Sequence, residues 1–412
     1  MNKKESIQHI FIIGAKSIGQ YGGYETFVDK LTEQHQNETL IKYHIACKAN
    51  GDGFMNEKKL LRIKKTRFKS NGEVTEFEYH NAHVFKIPCP KIGPAVAVYY
   101  DCAALKYCIN YCRKNRIEHP IFYVLTCRIG LAINTIVRQI KSIGGQFFLN
   151  PDGHEWKRQK WNSLIRRYWK WSEKKMVDAA DMIVCDSVNI EEYIKKEYRH
   201  PNTVFIAYGS DTTPSKVSDD EPEFKNWLLS HNLKKKEYYL IVGRFVPENN
   251  YEIMIREFLH SHSNRSLAII TNHNNKLYDY LEKKLHFSAD ARIKFVGTVY
   301  DKDLLKKIRE CAYGYIHGHE VGGTNPSLLE ALSSTDISLL LNVGFNREVG
   351  QNAALYWDKE EGSLASLLDF SDQMTNEEIE KLALAAKQRI KDSYSWQLIG
   401  EKYKRLWNEE KI

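Results

Sequence analysis

The chain has 412 residues, 42% of them hydrophobic and 27% charged, with a formal net charge of +8. At roughly 150 residues per domain that length implies two or three domains, and the apolar share is ample for their cores. No run of about 18 apolar residues occurs, and the start of the chain, Met1 to His9, has charges but no apolar stretch with a small-residue cleavage site, so neither a membrane span nor an export signal is expected.

Short apolar strands alternate with longer helical patterns twice over, the pattern of parallel sheets covered by helices on both faces. The first series opens with a strand at 9–13, a turn through Gly14 to Gly23 and a helix from about Tyr24, with later strands at 43–47, 83–87, 121–125, 146–149, 182–185 and 203–206. The second series has strands at 238–242, 266–271, 293–296, 313–316 and 337–341. The polar, turn-rich stretch 207–214, followed by acidic residues, reads as a linker between them. The expected division is 1–206, 207–390 and a terminal helix within 391–412, where Trp396, Ile399, Tyr403, Leu406 and Trp407 form a helical stripe suited to a domain interface.

The eight cysteines (Cys47, Cys89, Cys102, Cys108, Cys112, Cys127, Cys185 and Cys311) have no C-x-x-C spacing. Reduced thiols in a cytoplasm are expected, not a disulfide lattice or a zinc site. Two tracts are basic. Residues 57–69 hold seven Lys/Arg and one acid, and 157–175 hold eight and one, the second interleaved with Trp156, Trp161, Tyr168, Trp169 and Trp171. Cations mixed with aromatic rings suit an anionic bilayer surface better than nucleic acid here, since no nucleic-acid-binding motif accompanies them.

Ligands of doubly wound sheets bind at the carboxyl ends of strands, and four polar stretches fall there. After the first strand come Gly22-Gly23-Tyr24-Glu25, without the spacing of a dinucleotide site. After the strand at 146–149 come Asp152-Gly153-His154-Glu155-Trp156-Lys157-Arg158, where a histidine between carboxylates is a candidate for sugar contact or acid–base work. Gly243-Arg244 opens the second series, and an Arg there can grip phosphate through its planar fork. The most informative stretch is His317-Gly318-His319-Glu320-Val321-Gly322-Gly323-Thr324-Asn325-Pro326, running into a helix that carries Glu330. Glycines let the backbone approach an anion, the helix N-terminus adds partial positive charge, and Glu330 can accept from a sugar hydroxyl. The ligand implied is a nucleotide-sugar.

Taken together these motifs resemble the retaining GT-B glycosyltransferases and, within them, bacterial rhamnosyltransferases of cell-surface polysaccharide assembly. The resemblance spans nearly the whole chain. It implies an α/β GT-B fold, with two Rossmann-like doubly wound domains facing a cleft and a C-terminal helix crossing back to the first. It implies no metal or other cofactor, dTDP-L-rhamnose as donor, and a lipid-diphosphate-linked glucose at the inner membrane face as acceptor. Catalytic roles then fall to Asp152, His154 and Arg244, and donor binding to Gly22, Gly23, Arg244, Gly323, Thr324, Asn325 and Glu330. Acceptor binding falls to Glu25, Asp152 and Arg158. Two positions depart from the wider class: its second diphosphate cation is Asn249 here, and its first Glu is Gly322. Glu320 lies two residues off that position and cannot simply take the role over. A general-base Asp152 stays open, as do a sugar-nucleotide epimerase and a non-catalytic nucleotide-sugar-binding protein on the same fold.

Overall fold

The computed structural model describes residues 7–20, 22–158, 161–273 and 276–410. The first six residues of the amino-terminal segment, Tyr21 of the first glycine turn, Lys160 of the second basic tract and the last two residues of the terminal segment lie outside them. The chain divides into two bodies, residues 1–208 with 396–412, and residues 209–395.

The first body is a nine-stranded sheet. Its strands are β1 (Gln8–Ile13), β2 (Ile41–Lys48), β3 (Lys64–Phe68), β4 (Val74–Tyr79), β5 (Ala82–Ile87), β6 (Ile121–Leu125), β7 (Gln146–Asn150), β8 (Met182–Cys185) and β9 (Thr203–Phe205). Helices α1 (Gly23–Gln34), α2 (Val96–Asn115), α3 (Ile133–Lys141), α4 (Ser163–Ala179) and α5 (Val188–Tyr198) connect them. The sheet order is β3-β4-β5-β2-β1-β6-β7-β8-β9. From β5 to β9 all pairs are parallel, and the order reverses between β1 and β6, the switch point at which such sheets bind ligands. The strands from β6 onward read as unbroken apolar runs because both faces are covered, and β6 is buried along its whole length.

Strand β3, antiparallel to β4, lies in the first basic tract. Every residue of β3 is exposed, so no alternating apolar face marks it as a strand. It forms the sheet's edge, where lysines also guard against pairing with another chain. The tract thus combines a short 3-10 turn at Glu57–Lys59 with this edge strand.

The second body has a six-stranded, fully parallel sheet of β10 (Tyr238–Val242), β11 (Ser266–Ile270), β12 (Ile293–Gly297), β13 (Gly314–His317), β14 (Ile337–Leu341) and β15 (Leu355–Trp357). Its order is β12-β11-β10-β13-β14-β15, with the switch point between β10 and β13. The helices are α6 (Pro222–Ser230), α7 (Tyr251–His260), α8 (Lys276–Leu285), α9 (Lys302–Cys311), α10 (Pro326–Ser334), α11 (Gly344–Gly350), α12 (Ser363–Asp372) and α13 (Asn376–Ser393). Alternate residues of β10 feed two cores: Tyr239 and Ile241 pack with α7 and α12, while Tyr238, Leu240 and Val242 pack with α6 and α9. This is the period-two rule of a strand covered on both sides.

The last helix, α14 (Trp396–Trp407), belongs to the first body. Its stripe is anchored there by polar tips as well as apolar faces. Trp407 Nε1 donates to Tyr43 Oη at 2.7 Å, and the Tyr403 and Tyr123 hydroxyls meet at 2.9 Å. The stretch expected as a linker is buried at Ala207, Tyr208 and Ser210: the Tyr208 ring packs against Phe27 at 5.5 Å and Ser210 pairs with Ser395. The eight cysteines are free thiols, seven of them buried.

Candidate active site

In the second body two loops leave the sheet at the switch point. The loop after β10 carries Arg244, whose side chain is exposed and makes no hydrogen bond or ion pair among the described residues. Asn249, standing where the wider class has a cation, donates from Nδ2 to the Arg244 carbonyl at 2.8 Å, so its Oδ1 accepts from His319 Nδ1 at 2.7 Å. A neutral side chain therefore ties the β10 loop to the β13 loop. Asn250 adds a second tie, donating to the Gly318 carbonyl at 2.8 Å and to Glu320 at 3.0 Å. The approach is close: a Cβ on Gly318 would stand 2.5 Å from the Asn249 carbonyl oxygen, so only glycine fits.

The β13 loop ends at α10, whose N-cap Asn325 accepts from Ser327 N at 2.8 Å. Pro326 has no N–H, so the donors left at this helix entrance are those of the preceding loop. Among the described residues the N–H groups of Gly323 and Asn325 donate to no backbone carbonyl. Gly323 and Thr324 are buried beneath the turn. Glu330, one turn in, is partly exposed. Its Oε2 lies 2.7 Å from Nη2 of Arg309, a guanidinium only 4% exposed. Glu320 is committed elsewhere, 2.6 Å from Lys359 and bonded to Asn250. His317 beneath the loop is kept neutral by burial, and its Nε2 has no hydrogen-bond partner.

The first body presents its own loops at its switch point. Gly22, φ +151, precedes α1, and a Cβ there would fall 2.0 Å from Glu25 Oε2. Glu25 folds back over its own turn and accepts from Lys16 N at 2.9 Å, while Gly23 faces open space. After β7, Asp152 (φ +59) and His154 (φ +47) are both left-handed non-glycine residues, and Thr126 after β6 has φ +97. Such conformations are costly for residues with a Cβ and cluster at functional sites. The Asp152 carboxylate has no hydrogen bond or ion pair among the described residues, its backbone N–H donating to Asn150 Oδ1 at 2.9 Å.

His154 is held by rings. Its imidazole lies 4.3 Å from the Tyr193 ring centroid and 5.8 Å from that of Trp156. Below it the Lys170 ammonium sits 4.7 Å from the Trp156 ring, 4.9 Å from Tyr193 and 5.0 Å from Tyr198, a cage of three aromatic faces. Lys170 donates to Tyr193 Oη at 2.6 Å, and the Tyr193 and Tyr198 hydroxyls both donate to buried Glu173. Burial, reinforced by Lys157 and Lys170, pulls the His154 pKa down to about 4. The ring is therefore neutral near pH 7 and can both donate and accept a hydrogen bond.

Arg158 differs from expectation. It is 7% exposed and its Nε lies 2.5 Å from Glu155 Oε2, while Trp161 Nε1 donates to Glu155 Oε1 at 2.9 Å. The guanidinium expected to meet an acceptor instead braces the loop that carries His154. Residues that the sequence did not single out include Arg309, Lys170 with its cage, and the Asp101–Arg128 pair at 3.4 Å, where burial pushes Asp101 up to about 6 against the pull of Arg128. Asp101 and Arg128 are 27 positions apart, and no local pattern marks them.

Residues 7–211 match the family described as a domain of unknown function, DUF1972. No curated protein matches the sequence. Solved structures resemble it closely in shape. Sucrose-phosphate synthase from Thermosynechococcus elongatus has a TM-score of 0.71 at 13% identity over 98% of each chain. Anabaena HepE in complex with UDP-glucose gives 0.68 at 12% over 98% of this chain and 100% of that one. An α,α-trehalose-phosphate synthase (UDP-forming) from Burkholderia xenovorans, in complex with glucose-6-phosphate, gives 0.69 at 11% over 97% and 100%. At such identities the likeness establishes the fold: the chain has the GT-B glycosyltransferase fold.

Proposed function

We propose that this protein is a retaining glycosyltransferase using a nucleotide-sugar donor. One observation carries the reading. On a single loop system at the switch point of the second body stand an unpartnered exposed Arg244, the N–H groups of Gly323 and Asn325 at a helix entrance, and the open oxygen of Glu330. Anion donors beside a hydroxyl acceptor suit a nucleoside diphosphate. HepE, solved with UDP-glucose, supports the donor class.

In finer detail, the protein moves L-rhamnose from dTDP-L-rhamnose to the 4-OH of a lipid-diphosphate-linked glucose, giving a β-1,4 linkage in capsule repeat-unit assembly. The support is motif resemblance to bacterial rhamnosyltransferases, among them the β-1,4-rhamnosyltransferase of streptococcal capsule synthesis. Breaking the anomeric C–O bond leaves new negative charge on the diphosphate, which Arg244 and the N–H groups of Gly323, Thr324 and Asn325 stabilise. The departing phosphate oxygen accepts the proton of the acceptor hydroxyl, so no protein nucleophile is needed. Neutral His154 holds sugar hydroxyls, Glu330 holds the deoxyribose hydroxyl, and Gly22 and Gly23 leave room for the donor. Asp152 and Glu25 face the acceptor. No metal takes part.

The acceptor is lipid-borne, and we assign the membrane contact to α4. Its amino-terminal turns expose Leu164 and Ile165 beside Arg166 and Arg167, and Trp171 is 40% exposed. No described helix is long and apolar enough to span a bilayer. The deciding experiment incubates purified protein and EDTA with dTDP-L-rhamnose, UDP-glucose or other nucleotide-sugars and a synthetic lipid-diphosphate glucose, read by mass spectrometry. A rhamnosyl product in the presence of EDTA is expected. Transfer from a different donor overturns the rhamnose reading alone, a strict need for Mg²⁺ overturns the charge assignment, and no transfer from any donor overturns the enzyme.

A further inference from the structure

We infer that Arg309 is a positioning residue that selects nucleotides by their free sugar hydroxyl, acting through Glu330. This rests on the nucleotide reading of the second body.

Arg309 lies in the last turn of α9 and is 4% exposed. A guanidinium so buried needs a carboxylate, and the one paired with it among the described residues is Glu330, at 2.7 Å between Nη2 and Oε2. The same Nη2 lies 3.4 Å from Ser327 Oγ, which meets Tyr315 Oη at 3.1 Å. The Thr335 hydroxyl donates to the Arg309 carbonyl at 3.2 Å, which fastens the end of α9 to the end of α10. The Arg309 guanidinium is therefore held through Nη2 and by burial, its Nε having no hydrogen-bond partner, while the carbonyl bond fixes its backbone.

Glu330 differs from its partner in exposure: its side chain is 43% exposed against 4% for Arg309. Its Oε2 faces inward to the guanidinium. Its Oε1 has no partner among the described residues and is the oxygen left to accept from outside. A glutamate at a helix surface ordinarily samples several rotamers, and a ligand that bonds it must restrict them. Here Arg309 has already done so, which makes the hydroxyl acceptor preorganised. A site built to bond a hydroxyl rejects an analogue lacking it, because the bound nucleotide covers Glu330 and the outer oxygen is then left without a partner. Lysine would not substitute fully, being a point charge without the planar fork.

The test measures, by calorimetry on the full chain, the dissociation constants of dTDP and of its 3′-deoxy analogue. Wild type should prefer dTDP by about 10-fold or more, the scale of one hydrogen bond to a charged group. Arg309→Met and Glu330→Gln should each bring the preference to within about twofold of unity, and the double variant should be no worse than either single one, the mark of two residues acting as a unit. If Arg309→Met does not fold, Arg309→Lys keeps a buried cation and should lose several-fold of the preference with an unchanged melting temperature. A wild-type preference retained in Arg309→Met or Arg309→Lys while Glu330→Gln loses it overturns the inference alone. No binding of either nucleotide by wild type overturns the nucleotide reading, and this inference with it.

Discussion

The loop after β13 and the loop after β7 handle charge in opposite ways. The β13 loop leaves its charge capacity open: free N–H groups, an unpartnered Arg244 on the neighbouring loop, and a glutamate with one oxygen bonded and one oxygen free. Around the β7 loop the charges other than the Asp152 carboxylate are spent on neighbours. Lys170 is caged by three rings, Arg158 is paired with Glu155, and His154 is held neutral. Both follow parallel strands near switch points, so topology does not explain the difference. Composition does. Glycine and a helix entrance expose backbone donors, whereas tryptophan and tyrosine enclose side chains. An open charge can stabilise a developing anion, and an enclosed one can only shape a surface.

If the contrast holds, the largest effect comes from Arg244→Ala, which should lower turnover by about 10² to 10³, the scale of one transition-state donor, without loss of fold. Wild-type rates in the folded variant would break the comparison on the open side. Next comes the surface of the first body: replacing Arg166, Arg167 and Lys175 by Glu should weaken binding to anionic vesicles about 100-fold, since each cation near such a surface contributes on the order of 1 kcal/mol. Turnover on a short soluble acceptor should barely change, and vesicle sedimentation at low and high salt reads the difference. Equal loss on soluble and lipid acceptors would leave α4 an ordinary solvated face.

A smaller effect is expected from Gly318→Ala. The added Cβ would fall 2.5 Å from the Asn249 carbonyl, forcing the two loops apart at a cost of about 1 to 3 kcal/mol, as for other overpacked sites. Thermal melts with and without dTDP should show a lower midpoint and a smaller shift on ligand addition. The smallest effect belongs to the enclosed histidine. Its folded pKa of about 4 lies below the ordinary 6.5, so the folded state takes up the proton less readily than the unfolded one. Its stabilising share is thus present above about pH 6.5 and falls away as pH drops toward 4. Denaturant midpoints between pH 7 and pH 5 should decline less in His154→Gln than in wild type. Identical declines would mean that His154 is not enclosed as described.

The sequence by itself determined the two alternating α/β series, the apolar parallel strands of both sheets except β15, and the glycine-rich entrance to α10. Those features are local: continuous apolar runs, glycines and a helix start are read from neighbours in the chain. Tertiary structure decided the rest. Edge strand β3 has no apolar alternation because nothing covers it. Within the 207–210 stretch Tyr208 is covered by Phe27 and Ser210 is paired with residue 395, both far away along the chain. Arg158 turned inward to Glu155, and Arg309 met Glu330 from another helix. Lys170 found three rings, two contributed by α5 and one by the loop after β7. Whether a charge is spent on a neighbour or left for a ligand depends on what packs beside it, and long-range packing leaves no mark at the charged residue itself.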